Sequence, residues 1–157
     1  MKNWLYKDEE VSSLDQIPDG KDMEGFVYRI THIPTGKYYI GKKSLWSRRN
    51  KKIGKRETAR LKEERKAKGI GGRPPKKKLV VKESKWQKYF SSNDWIKEQI
   101  EAGKEDEFER EIIDFYPDKK SLTYGEIEHQ VNSDILRDKN SIGDNILGKF
   151  FRKDLVD

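Results

Sequence analysis

The sequence lacks cysteine, and it lacks any long apolar run. The absence of cysteine excludes disulfides and cysteine-ligated zinc, which fits a reducing compartment. No stretch approaches the roughly 20 apolar residues that cross a bilayer, and residues 1–6 contain no signal-peptide core. Only 32% of the 157 residues are hydrophobic. We therefore expect one decorated domain with a small core, located in the cytoplasm and without a membrane partner.

The chain is rich in positive charge, which is concentrated in one block. Residues 42–85 contain 19 Lys and Arg against 4 Asp and Glu, whereas the other residues contain 16 against 24. The net charge of +7 therefore hides a strong asymmetry. A single basic block is typical of a protein that binds the phosphate backbone of nucleic acid. The alternative is a disordered, solvated segment, which charge runs often form.

Two tyrosines lie in a pattern that predicts a β-hairpin. Residues 25–32 and 37–43 are strand-like, and the Pro-Thr-Gly-Lys sequence between them is a turn sequence. Each predicted strand carries one tyrosine, Tyr28 or Tyr39. An arginine pair, Arg48 and Arg49, follows the second strand.

The segment after the hairpin has the composition of an exposed arm. Residues 55–68 are good helix formers, but Leu61 is their only large apolar residue, so this helix would bury almost nothing. We expect residues 50–84 to be a basic insertion in a domain spanning residues 25–157. Residues 1–24 are expected to be an extension that packs on this domain.

The second half of the chain predicts helices around one strand. Trp86, Tyr89 and Phe90 share one helix face, and a second helix is predicted over residues 93–102, with Asn93 as its N-cap. A strand over residues 107–116 and a helix from a cap at Ser121 or Thr123 to about residue 136 should follow. Its inward residues would be Ile127, Val131, Ile135 and Leu136. A short element is expected over residues 145–151.

The hairpin pattern resembles the GIY-YIG endonuclease family. Residues 26–28 (Phe-Val-Tyr) and 39–41 (Tyr-Ile-Gly) stand ten residues apart, and Arg49 lies eight residues after Gly41. A glutamate, Glu126, falls on the late helix. The resemblance implies an α/β domain with a small, mostly antiparallel three-stranded sheet flanked by helices, here with an inserted basic arm. It also implies hydrolysis of nucleic-acid phosphodiesters with a divalent metal.

The resemblance carries roles onto individual residues. Tyr28, as a phenolate or through a water, would help to deprotonate the attacking water, and Tyr39 would position the phosphate or the water. Arg49 would pair with a non-bridging phosphate oxygen. Glu126 would hold one Mg²⁺ or Mn²⁺ ion, and Gly41 would let the backbone pass close to the substrate.

Further residues match in a supporting role. Arg48 neighbours the family arginine, and Asn145 matches a late asparagine of the family. Phe26 replaces the leading glycine of the motif, although Gly25 is adjacent. No histidine follows the arginine as in some members, and Lys42 or Lys43 would supply the missing cation.

The resemblance is closer to small phage-encoded members. These have a Trp-Leu-Tyr-like start, here at residues 4–6, and a Ser-x-Trp-x-x-Tyr-x-x-Ser segment, here at residues 84–92. A phage or mobile-element origin would place the protein in the host cytoplasm. Two alternatives stay open for the metal ligands. Glu128 is close to Glu126 in the sequence and could take its place. His129 forms a Glu-x-x-His pair with Glu126 that can bind a metal, although a surface histidine is the more common case.

The expected partner is double-stranded DNA, bound by a monomer or a weak dimer. Residues 72–78 are similar to the Gly-Arg-Pro core of AT-hook segments, which enter the minor groove, with a flexible polycationic linker as the alternative. The cations expected to bind DNA are Lys51, Lys52, Lys55, Arg56, Arg73, Lys76, Lys77 and Lys78. The rival to an enzyme is a non-catalytic basic nucleic-acid-binding protein, which has no use for Glu126 beside a cationic cleft.

Overall fold

The computed structural model describes residues 2–155. Its strands are β1 (Trp4–Tyr6), β2 (Glu9–Val11), β3 (Gly25–His32), β4 (Tyr38–Ser44), β5 (Trp46–Lys52), β6 (Lys77–Glu83), β7 (Phe108–Tyr116), β8 (Asn145–Ile146) and β9 (Phe150–Phe151). Its α-helices are α1 (Lys55–Ala67), α2 (Asp94–Glu101) and α3 (Lys119–Asn132). None of the helices in the described part of the chain is long and apolar enough to span a membrane.

The chain forms two compact units. The sheet unit consists of the residues up to Leu45 together with those from Lys85 onward, and the ribbon unit spans Trp46–Ser84. The fold is mixed α/β, as the sequence predicts. The predicted hairpin is confirmed, since β3 and β4 pair antiparallel and Gly36 in the turn has a φ of 71°.

The sheet unit contains a five-stranded sheet in the order β2-β1-β7-β3-β4. The strands β7, β3 and β4 are antiparallel, whereas β1 runs parallel to β7. The prediction of three strands therefore missed β1 and β2. Trp4 holds β1 in place because its side chain is fully buried and its indole N–H donates to the Trp86 carbonyl at 2.8 Å.

The two faces of the sheet carry different cores, because side chains alternate along each strand. On one face, the Phe26 ring meets the rings of Trp4 and Trp86, with centroids 5.1 and 6.1 Å apart. On the other face, Val27 and Ile40 pack with residues of α3 and of the segment that follows it. The buried members of this second cluster are Val27, Tyr38, Ile40, Leu122, Ile135, Leu136 and Ile146.

The helix α3 begins earlier and ends earlier than the sequence predicts. Its N-cap is Asp118, whose carboxylate accepts the backbone N–H of Ser121 at 2.8 Å, so neither Ser121 nor Thr123 is the cap. The helix ends at Asn132, and Ile135 and Leu136 reach the core from the turn that follows. Val131 was predicted to face inward, but it is 57% exposed.

The helix predicted at Trp86, Tyr89 and Phe90 does not form. Only Trp86–Lys88 make a 3₁₀ turn, and Tyr89 is extended with φ −74° and ψ 130°. The Arg110 side chain on β7 instead donates to the carbonyls of Gln87 and Tyr89. The next helix is confirmed as α2, since the Asn93 side chain accepts the Ile96 N–H at 3.1 Å.

The ribbon unit pairs β5 with β6 and connects them through α1. The antiparallel register runs from Trp46 opposite Glu83 to Lys52 opposite Lys77. The helix α1 matches the predicted helix, all of it is described, and none of its residues is buried. The sequence did not predict either strand of the ribbon, because lysine and arginine are not typical strand residues.

Candidate active site

Tyr28 and Tyr39 lie side by side on one face of the sheet. Tyr28 on β3 stands opposite Gly41, and Tyr39 on β4 stands opposite Ile30. The two ring centroids are 6.3 Å apart. The hairpin register therefore brings the two motif tyrosines together, and we call this surface the tyrosine face.

Gly41 is required by the Tyr28 ring. A Cβ atom at position 41 would lie 2.5 Å from the Tyr28 hydroxyl oxygen and 3.0 Å from Cε1 of Tyr39. Both distances are shorter than an ordinary van der Waals contact. Gly41 thus allows the Tyr28 ring on β3 to lie across β4, with its hydroxyl near Tyr39.

Tyr28 is buried, which changes the role that the resemblance implies for it. Only 1% of Tyr28 is exposed. Burial raises the pKa of Tyr28 well above its usual value, the Tyr89 phenol raises it further, and the Ser91 hydroxyl acts in the opposite direction. Tyr28 is therefore a neutral phenol near pH 7, which does not favour a phenolate base.

Tyr39 is only partly buried, so it is the more accessible tyrosine of the pair. Burial raises the pKa of Tyr39, and the carboxylates of Glu126 and Asp144 contribute to the rise. The Ser92 hydroxyl lowers it. Tyr39 thus lies within electrostatic reach of both carboxylates, one of which is the predicted metal ligand.

The helix α3 holds Glu126 at the edge strand β4. Lys42 Nζ donates to the Thr123 hydroxyl at 2.7 Å, and Gln130 Nε2 donates to the Ile40 carbonyl at 3.1 Å. Glu126 lies between these two anchors on the same helix face. Burial raises the pKa of Glu126, whereas the ammonium and the backbone N–H of Lys42 oppose the rise.

Two further glycines let α3 approach the sheet. A Cβ at Gly125, next to Glu126, would clash with the Tyr116 ring. A Cβ at Gly25 would clash with the Lys43 carbonyl and lie 2.8 Å from Leu122 Cδ2. This chain has Phe26 at the position of the motif's leading glycine, and the Phe26 side chain fills the core. The adjacent Gly25 permits the close approach of Leu122 on α3 to the sheet.

Lys42 and Lys43 lie on opposite faces of β4. Lys42 binds Thr123 on α3, as described above. Lys43 Nζ lies 4.7 Å from the centroid of the Tyr89 ring, and burial lowers the pKa of Lys43. The structure therefore places Lys43 on the tyrosine face, whereas Lys42 lies beside Glu126.

Arg48 and Arg49 lie on β5, in the ribbon unit. Arg49 is exposed and lines a cavity of about 380 Å³ with Lys51, Lys52 and Lys82. The other predicted DNA-binding cations are also in this unit: Lys55 and Arg56 on α1, Lys77 and Lys78 on β6, and Arg73 and Lys76 in the connection. Lys78 is held by Glu57 at 2.8 Å.

Asn145 is occupied in a turn. Its side chain donates to Asp144 at 3.0 Å and accepts the Gly148 N–H at 3.1 Å. Its neighbour Asp144, which the sequence did not single out, raises the pKa of Tyr39 together with Glu126 and Tyr89. His32, the last residue of β3, contacts the Thr35 hydroxyl in the hairpin turn at 2.7 Å.

The carboxylates near Tyr39 fit a magnesium ion that takes most of its ligands from substrate and water. Among residues 2–155, no group of three or more His, Asp or Glu side chains could hold a metal. Magnesium is commonly bound through one or two carboxylates, with substrate phosphates and water completing the shell. Glu126 is a partly buried carboxylate of this kind.

The sequence did not assign a role to Tyr89, Ser91 or Ser92, although the structure places them around the two motif tyrosines. The Tyr89 and Tyr28 ring centroids are 5.8 Å apart. Their signal in the sequence was the Ser-x-Trp-x-x-Tyr-x-x-Ser pattern. That pattern shows a shared segment, but it does not show which surface the segment covers.

Comparison with protein families shows which family the chain belongs to. A family model described as "Putative endonuclease segE, GIY-YIG domain" matches residues 4–150. The chain belongs to this GIY-YIG family. The resemblance noted from the hairpin is thereby confirmed. Neither the curated proteins nor the solved structures gave a match to the chain.

Proposed function

We propose that this GIY-YIG protein is a metal-dependent DNA endonuclease of phage or mobile-element origin that hydrolyses phosphodiester bonds. The family match over residues 4–150 supports nuclease chemistry. The observation that supports the proposal is the coupling of Tyr39 to the Glu126 carboxylate, with Lys42 beside that carboxylate. This arrangement combines a carboxylate, a phenol and a cation, which phosphodiester hydrolysis can use.

Glu126 would hold the Mg²⁺ or Mn²⁺ ion. When bound, the ion supplies Lewis-acid polarisation of the scissile phosphate. Tyr39, which is partly exposed, would orient the phosphate or the attacking water through its hydroxyl. Tyr28, as a buried neutral phenol, would act as a hydrogen-bonding group that orders its neighbours. Arg49 would bind a non-bridging oxygen through its planar guanidinium.

The ribbon unit would bind double-stranded DNA. It carries 16 Lys and Arg against 4 Asp and Glu within Trp46–Ser84. Phosphate contacts by such a surface release counterions, which makes binding strongly salt-dependent. We propose that a monomer or weak dimer binds DNA in this way and that the basic arm provides affinity.

Cleavage of plasmid DNA by a Glu126→Gln variant tests the proposal. We expect the wild type to cut with Mg²⁺ or Mn²⁺ and not in EDTA. Glu126→Gln keeps the shape of the side chain but removes its charge, so it should bind DNA normally and not cut. Glu128→Gln is the matched control, because Glu128 is an exposed carboxylate on the same helix, and it should cut like the wild type.

Two results would contradict the proposal. Full cleavage in EDTA would remove the metal role of Glu126. DNA binding by the wild type without cleavage under any of these conditions would instead favour the rival function, a non-catalytic nucleic-acid-binding protein.

A further inference from the structure

A third tyrosine lies on the tyrosine face. Tyr89 is partly exposed, whereas only 1% of the Tyr28 surface is accessible to solvent. The Tyr89 ring contacts both the Tyr28 ring, at a centroid distance of 5.8 Å, and the Lys43 ammonium, at 4.7 Å. Tyr89 therefore offers a phenol and a neighbouring cation to a ligand, which the buried Tyr28 does not.

A buried arginine holds the Tyr89 backbone in place. Arg110 on β7 is 3% exposed and donates from Nη1 to the carbonyls of Gln87 and Tyr89 at 2.9 and 2.8 Å. Its Nη2 donates to the Lys2 carbonyl at 2.7 Å. The guanidinium carbon lies 4.2 Å from the centroid of the Phe90 ring.

Burying this charge against carbonyl groups is unfavourable compared with solvation. Burial lowers the pKa of Arg110 to about 10, so the guanidinium remains charged at neutral pH. Its rigid fork of donors can bind two carbonyls of an extended segment at once, which a lysine cannot do. The side chain thus fixes the position of the Tyr89 carbonyl relative to the sheet.

The same segment contains a strained residue. Ser91 has a φ of 104°, which is uncommon for a residue with a side chain, and it is buried at 3% exposure. Its hydroxyl accepts the Asn93 N–H at 3.0 Å and acts on Tyr28. Strained residues that packing holds in place are concentrated at functional sites.

We propose that Tyr89, with Lys43 beside it, binds a non-bridging oxygen of the substrate phosphate, and that Arg110 is the positioning residue that sets the place of Tyr89. This inference rests on the proposed endonuclease activity. The inference adds Tyr89, a residue outside the two-tyrosine motif. Folding of the chain brings the segment that contains Tyr89 to the tyrosine face.

The first test is Tyr89→Phe, which removes only the hydroxyl. We expect single-turnover cleavage to slow by about 100-fold, as for the removal of one transition-state donor, with DNA affinity and melting temperature unchanged. Tyr6→Phe is the matched control, because Tyr6 lies on β1, away from the edge strand β4, and packs on Phe115. A rate for Tyr89→Phe within threefold of the wild type would overturn the inference.

The second test asks whether Arg110 acts through Tyr89. Arg110→Lys keeps the charge but lacks the fork, so cleavage should slow at saturating DNA. In the Tyr89→Phe background, the same change should slow cleavage by less than threefold, because the hydroxyl that Arg110 positions is already absent. Equal decreases in rate in both backgrounds would show that Arg110 has only a structural role.

The outcomes separate this inference from the proposed function. A wild-type protein that cuts no nucleic acid would refute the nuclease proposal itself. A wild type that cuts while Tyr89→Phe cuts equally well would refute only the inference. If Arg110→Lys does not fold, Phe90→Leu replaces it in the cycle, because removing the ring beside the guanidinium loosens the side chain that holds the Tyr89 carbonyl. Equal decreases from Phe90→Leu in both backgrounds would likewise refute positioning by Arg110.

Discussion

Replacing Gly41 by alanine should displace the Tyr28 ring and slow cleavage. The new Cβ would lie 2.5 Å from the Tyr28 hydroxyl oxygen and 2.7 Å from its Cζ. An ordinary contact would require a shift of about 1 Å, and a misplacement of this size at an active site can reduce the rate by about 100-fold. The Tyr28 ring cannot move freely, because it is buried against Trp4 and Tyr89.

The same substitution should lower stability. Overpacking a filled core typically costs about 1–3 kcal/mol. For a protein of this size each kcal/mol corresponds to a shift of about 2–4 °C in melting temperature. We therefore expect Gly41→Ala to melt lower than the wild type by about 2–12 °C. The restriction that alanine places on the unfolded chain should offset part of this destabilisation.

Thermal melting and single-turnover cleavage would measure the two effects. Gly143→Ala is the matched control, because a Cβ there would lie 3.6 Å from the Tyr39 ring, an ordinary contact. In the Gly41→Ala background, Tyr28→Phe should restore part of the stability by removing the closest atom. The reasoning is refuted if Gly41→Ala melts and cuts like the wild type, since β4 would then accommodate the methyl group without moving Tyr28.

Three further predictions concern the cation, the ribbon and pH. Arg49→Ala should reduce the single-turnover rate by on the order of 100- to 1000-fold, while DNA affinity changes little. Arg49→Lys should recover little of that rate. An Arg49→Ala rate within threefold of the wild type would assign the phosphate-binding role to another residue. Asn50 and Leu79 face each other in the ribbon, so an Asn-Gly turn can join them and replace residues 51–78. This variant lacks 13 basic and 3 acidic residues and should bind DNA several-fold more weakly. Its slope of log K against log salt should be flatter by about 0.9 for each phosphate that it no longer neutralises, yet it should still cut slowly at low salt. Wild-type affinity and slope would contradict the charge argument. The raised pKa of Glu126 means that its ionisation opposes folding as pH rises through that pKa. Glu126→Gln should therefore melt at or above the wild-type temperature at pH 7, but not at pH 4. Cleavage by the wild type should decrease on the acid side, at a pH above the usual pKa of glutamate. A lower melting temperature for Glu126→Gln than for the wild type at pH 7 would contradict this prediction.

The sequence by itself determined the hairpin and its two tyrosines. Strand alternation and the turn chemistry are local properties, so Tyr28, Tyr39 and Gly41 could be placed on adjacent strands without a structure. The helix α2 was also predictable, because Asn93 caps it through a contact only three residues away. Glu126 was identified by its resemblance to the family pattern, and its location on a helix followed from local helix formers.

Only the tertiary structure decided how these residues are surrounded. The strand β1 joins the sheet through β7, about a hundred residues along the chain, and so the five-stranded sheet could not be read from local patterns. The burial of Tyr28, the extended path of Tyr89 over it and the contact of Lys43 with Tyr89 all depend on such distant contacts. Arg110 is the clearest example, since its guanidinium binds carbonyls from two distant segments, one of them the segment where local spacing predicts a helix. The pKa of a side chain and its access to substrate follow from burial, which is set by the packing of residues far apart in sequence.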